Sequence, residues 1–120
     1  MPRSEGAFPR SRRLLKPDEY RRVFSEGRRS SDRHFLVLAY PNRDLHARLG
    51  LAVAKKHCRK AVDRNRIKRM IRESFRHNQN VVAGLDLVVV ARHGAAVADN
   101  KRCLDSLQQH WFRIAELCAK

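Results

Sequence analysis

The chain has 120 residues, 42% of them hydrophobic, which suits one domain that buries a core without disulfides or metals. A net charge of +15 repels itself in a compact state, so the simplest partner is a polyanion, nucleic acid first and an anionic membrane second. No apolar run is long enough to span a bilayer, and "MPRSEGAFPRSRRLLK" lacks the apolar stretch of a secretory signal, so a cytoplasmic protein is expected.

Pro17 opens a predicted helix, with Asp18 and Glu19 near the positive end of its dipole. Tyr20, Val23 and Phe24 follow at i, i+3, i+4, and Gly27 is its stop. Residues 28–32 read as a short strand. "HFLVLAY" (34–40) is strand-like, and Pro41-Asn42 begins a turn. "ARLGLAVA" (47–54) is a second strong strand. A basic helix begins at Asp63 or just before it and fades by Asn78. "LDLVVVAR" (85–92) is a further strand whose successive valines favour burial on both faces. Asp99 or Asn100 caps a last helix, with Leu104, Leu107, Trp111, Ile114 and Cys118 along one side. The order helix, strands, helix, strand, helix fits an α+β sandwich.

The three cysteines, Cys58, Cys103 and Cys118, form no CxxC pair and no zinc spacing, so they read as buried or incidental thiols. The twelve acids and six histidines are scattered. Metal-dependent cleavage wants clustered carboxylates, which makes an autonomous protein nuclease a poor fit.

Charge is concentrated. Residues 55–76, "KKHCRKAVDRNRIKRMIRESFR", hold ten Lys or Arg against two acids, more than half of the chain's excess. At 100° per residue, Ile67, Met70, Ile71, Ser74 and Phe75 cluster on one side, the predicted buried face. Asn65, Lys68, Arg69, Arg72 and Arg76 cluster opposite, with Arg64 and Arg66 on the flanks. Basic helix faces are often only solvated surface. A helix stabilised by i,i+4 pairs would carry more Glu, yet Glu73 is the lone acid after Asp63. Arginine matches phosphate with forked hydrogen bonds, and asparagine adds an acceptor beside a donor for a base edge or 2′-hydroxyl. A membrane-surface helix is disfavoured, because its apolar residues are committed to the core. Composition alone leaves a general RNA-binding protein, ribosomal or chaperone-like, open as an alternative.

At these residues the sequence resembles the bacterial ribonuclease P protein subunit. "AKKHCRKAVDRNRIKRMIRESFR" is similar to that family's signature, including its Arg-Asn-Arg box. "RLLKPDEYRRVFSEG", "RLGLAVAKK", "DLVVVARHGA" and "LQQHWFR" resemble further family blocks in the same order, covering residues from about 10 to 115. The resemblance implies a two-layer α-β sandwich: a four-stranded sheet with three helices in the order αβββαβα, and a left-handed βαβ crossover around the Arg-Asn-Arg helix. The expected organisation is a basic, flexible N-terminal arm over residues 1–16 and one RNA-binding α-β sandwich domain over 17–118.

Function is implied likewise. The family's ribonucleoprotein removes the 5′ leader from precursor tRNA. Its RNA subunit holds the active site and the Mg2+ ions, so the protein itself is expected to bind no metal or cofactor and to supply no catalytic residue. The expected partners are ribonuclease P RNA, one to one with a protein monomer, and the single-stranded leader. Carried over to this chain, Lys55, Lys56, Arg64, Asn65, Arg66, Lys68, Arg69, Arg72 and Arg76 are expected to face RNA. Tyr20, Phe24, Leu36, Leu38, Ala52 and Ala91 are expected to line the leader cleft. Relatives with an aromatic at the position of Leu38 have a stacking surface that this chain replaces with an apolar contact.

Overall fold

The computed structural model describes residue 13, residues 16–42 and residues 46–119. The elements are α1 (Pro17–Glu26), β1 (Arg28–Ser31), β2 (Phe35–Pro41), β3 (Arg48–Ala52), α2 (Ala61–His77), β4 (Leu85–Ala91), α3 (His93–Val97) and α4 (Asn100–Cys118). The α+β class holds. The one unanticipated element is α3, whose five residues are too few to show a helical period. Most of the expected 1–16 arm lies outside the described residues. Arg13 forms an isolated parallel bridge to Leu49 of β3.

The four strands lie in the order β1-β2-β4-β3. β2 pairs antiparallel with both β1 and β4, whereas β3 runs parallel to β4. Parallel neighbours cannot be joined by a hairpin. The connection from β3 to β4 runs through α2, which places the basic helix beside the sheet.

Strand alternation divides the sheet into two faces. Phe35, Val37, Ala39, Leu49, Leu87 and Val89 belong to the main core, which also takes Ile67, Met70, Ile71 and Phe75 of α2 and Leu107, Trp111 and Ile114 of α4. Each fully buried side chain of this size contributes roughly 1.5–3 kcal/mol. Trp111 donates its indole N–H to Ser74 Oγ at 2.8 Å and meets Phe75 edge-on, with ring centroids 6.2 Å apart. These contacts lock α4 to α2. Leu104, expected on the buried side of α4, is 40% exposed, and Cys103 and Ser106 are buried instead. The expected cap is in place, with Asp99 accepting from the Arg102 N–H.

The opposite face is smaller. There Val23 of α1 packs with Leu38 and Val88, flanked by Tyr20, Leu36, Tyr40 and Val90. The sheet therefore has helices on both sides, α2 and α4 on one and α1 on the other, rather than the two layers expected, because both faces of its central strands are apolar. A half-buried carboxylate joins α4 to the β1–β2 turn. Asp32 accepts from the N–H groups of His34 and Phe35 and from Ser106 Oγ at 2.6 Å.

Candidate nucleic-acid interface

α2 is amphipathic for a simple reason: its apolar residues recur at helical spacing on one side only. Ile67, Met70, Ile71, Ser74 and Phe75 are the buried ones, as the periodicity predicted. That docking turns the other side outward. Asn65, Lys68, Arg69, Arg72 and Arg76 line a cavity of about 700 Å³ together with Glu73 and Arg13. Asn65, Arg69 and Arg72 are exposed and Lys68 is half-buried.

The outward face is not free of acid. Glu73 takes Arg76 Nη2 at 2.6 Å, and His77 Nε2 lies 3.5 Å from the same carboxylate. Arg76 hydrogen bonding holds the Glu73 carboxyl below the usual carboxylate range. Arg76 is thus partly neutralised by its own helix.

Arg64 and Arg66 depart from expectation more sharply. Both are half-buried and both have partners within the chain. Arg64 Nη1 donates to the carbonyls of Cys58 at 3.1 Å and Arg59 at 2.7 Å. Arg66 Nη1 donates to Asn100 Oδ1 at 2.6 Å, and its Nε lies 3.9 Å from Asp63. They occupy the flanks, where the helical wheel put them, and face neighbouring elements rather than open solvent. The outward cations of the ridge are Lys68, Arg69 and Arg72. Lys55 and Lys56 stand exposed in the turn that follows β3.

A second surface forms under α1. The N-terminal end of that helix is tied down by charge, because Arg48 of β3 bridges Glu19 and Asp86. The Tyr20 ring sits against Gly50, where a Cβ would come within 2.6 Å of it, so glycine admits this approach. One turn further on, Phe24 is 44% exposed. Across the sheet, Leu36 pairs with Val90 and Val90 with Ala52, and all three are partly exposed on the α1 side. This row and the exposed Phe24 make up the candidate groove beside α1.

Two expected groove residues are elsewhere. Leu38 is fully buried beneath α1 with Val23 and Val88, so it supports the groove floor without lining it. Ala91 lies on the opposite face, in the main core and 1% exposed. Alternation puts Val90 in the place assigned to Ala91. Sequence reasoning missed Val90 because three valines in a row give no polarity cue to parity. The cue was two residues earlier: Asp86 shares its face with Val88 and Val90, and it pairs with Arg48. The basic rim also extends beyond the expected set. Arg33 and Arg92 are exposed at the ends of β2 and β4 nearest this row, with the Arg92 N–H bonded to His34 O.

Among the described residues no group of three or more His, Cys, Asp or Glu is placed to hold a metal ion. No described helix is long and apolar enough to cross a membrane.

A family model described as Ribonuclease P matches residues 8–115. The chain belongs to the ribonuclease P protein family. It is 49% identical over 112 residues to the ribonuclease P protein component of Methylococcus capsulatus, covering 93% of this chain and 88% of that one. It is 46% identical to the Thioalkalivibrio sulfidiphilus component, covering 93% of each. Among solved structures, the ribonuclease P protein of Staphylococcus aureus superposes with a TM-score of 0.78 at 34% identity, over 88% of this chain and 95% of that one. The Thermotoga maritima ribonuclease P protein gives 0.76 at 33% identity, over 85% and 96%. The match spans both the basic ridge and the groove, so both surfaces belong to a ribonuclease P protein fold and neither is an appended segment.

Proposed function

We propose that this protein binds the catalytic RNA of bacterial ribonuclease P through the α2 ridge and holds the single-stranded 5′ leader of precursor tRNA in the groove under α1. The RNA subunit, with its magnesium ions, performs the cleavage that yields mature tRNA 5′ ends. The protein raises affinity for substrate and supplies no scissile group, acting as one monomer per RNA in the cytoplasm.

The observation that carries this reading is the division of labour between faces. One cationic surface, centred on Asn65, Lys68, Arg69 and Arg72, is rigid because its underside is core. Folded RNA is a dense array of phosphates, and fixed Lys and Arg neutralise it with counterion release. A separate groove offers an exposed ring and apolar floor, the kind of surface on which unpaired bases stack.

The direct experiment is reconstitution. The protein is mixed with a bacterial ribonuclease P RNA at physiological magnesium, and precursor tRNA processing is followed at low substrate concentration. Rescue of processing by the protein is expected. Equal processing with and without it, or specific 5′ cleavage by protein alone, defeats the reading.

A further inference from the structure

Between β3 and α2 the chain runs through Val53–Lys60 with a single turn at residues 55–57. The N–H groups of His57 and Cys58 both close on the Ala54 carbonyl, at 3.2 and 3.1 Å. This short connection carries Lys55, Lys56, Arg59 and Lys60, all exposed. Four like charges so close together repel one another, and they would spread the loop if nothing held it. The entry to α2 adds little restraint, because Lys60 at the N-cap makes no side-chain cap bond.

Two features do hold the loop. Cys58 is 3% exposed and anchored in the main core. The other is Arg64, one turn into α2, whose Nη1 reaches back to two successive carbonyls, those of Cys58 and Arg59. A charged donor to a carbonyl makes a stronger bond than a neutral one. The planar guanidinium delivers several N–H groups in a fixed geometry, which a lysine ammonium on a flexible stem does not.

We propose that Arg64 is a positioning residue. Its guanidinium grips the Cys58 and Arg59 carbonyls and so sets where Lys55, Lys56, Arg59 and Lys60 stand beside the α2 ridge. The first arginine of the Arg-Asn-Arg box therefore acts on RNA through the loop, while Asn65 and the outward cations touch it. This rests on the RNA-binding reading above.

A double-mutant cycle tests it. Affinity for ribonuclease P RNA is measured for the wild type, for Arg64→Ala, for a loop in which Lys55, Lys56, Arg59 and Lys60 are all changed to Ala, and for the combination. A residue acting through the loop loses its effect when the loop cations are gone, whereas a direct phosphate contact adds to theirs. Arg64→Ala is expected to weaken binding about tenfold in the native background and less than about twofold without the loop cations. Arg64→Lys, which keeps the charge, is expected to lose affinity at an unchanged salt slope. In the free protein, amide exchange at residues 54–60 is expected to quicken in both Arg64 variants while α4 stays protected. Additive losses, or unchanged exchange in the loop, overturn the proposal. Failure of the wild type to bind the RNA instead defeats the functional reading, and the exchange measurement still decides whether Arg64 holds the loop.

Discussion

Arg48 and Asp86 meet side by side on the parallel strands β3 and β4 in a forked pair, Nε to Oδ1 at 2.8 Å and Nη2 to Oδ2 at 2.7 Å. The remaining Nη1 reaches Glu19 Oε2 at 2.6 Å, so one guanidinium joins two strands and the start of α1. Asn42 adds a bond to Asp86 Oδ1 at 2.9 Å. Bonding to Asp86 raises the Arg48 pKa above its already high ordinary value. Asp86 is 6% exposed, so removing it deprives a half-buried arginine of its forked partner. Asp86→Ala is expected to cost about 2–3 kcal/mol, toward the low side for a buried pair because Arg48 is partly solvated. Urea unfolding measures it, and a change under about 0.5 kcal/mol would show the clamp to be idle.

The groove yields a paired prediction. Phe24→Ala and Val90→Ala are expected to weaken binding of leader-bearing precursor tRNA, by roughly 1–3 kcal/mol for the ring if a base stacks on it. Both leave affinity for leaderless tRNA unchanged. Competition binding with the two substrates checks this; equal losses on both would remove these residues from the leader site.

Ala91 tests the face assignment independently. It is fully packed in the main core, so Ala91→Leu should overpack and destabilise by about 1–3 kcal/mol. Thermal unfolding reads the effect. Normal stability with altered leader binding would place Ala91 back on the groove side.

The ridge predicts a salt signature. Arg69→Ala and Arg72→Ala are each expected to lower the slope of log K against log salt by about 0.7–0.9 in magnitude. Asn65→Ala is expected to weaken binding with little change in slope, since it carries no charge. Filter binding over a salt series separates these outcomes.

His110 predicts a pH dependence. It is 1% exposed, with Nδ1 2.7 Å from Ser30 Oγ. Its Nε2 lies 3.1 Å from Asp32 Oδ2, close but poorly aligned for a hydrogen bond. Burial lowers its pKa, as do Arg113 and His34, while Asp32 pulls the other way. Burial also raises the Asp32 carboxyl, but bonds from Ser106, Phe35 and His34, with the His110 ring close by, win and hold it far below the ordinary range. Asp32 therefore stays ionised while His110 titrates. Because the folded state favours neutral His110, its contribution to stability is fully present above the unfolded pKa of about 6.5 and is lost as pH falls below that toward the lower folded pKa. Unfolding free energy of wild type and His110→Gln is compared across that range. A matching pH slope in the two proteins would remove His110 as its source.

The sequence by itself determined a good deal. The spacing of Ile67, Met70, Ile71 and Phe75 fixed which side of α2 is core, and therefore that Asn65, Lys68, Arg69 and Arg72 point outward. Strand alternation and turn residues placed the sheet elements within a residue or two. These are local properties, set by backbone period and side-chain polarity over a few turns. Tertiary structure alone decided the rest. Whether Val90 or Ala91 meets the groove depends on strand parity, which an all-apolar run conceals when both faces are covered. Whether Arg64 and Arg66 are free for RNA depends on carbonyl and amide partners supplied by the preceding loop and by Asn100, 34 residues away. A charge pattern counts cations, but only the packed chain shows which of them already have a partner, because hydrogen bonding is short-ranged and directional.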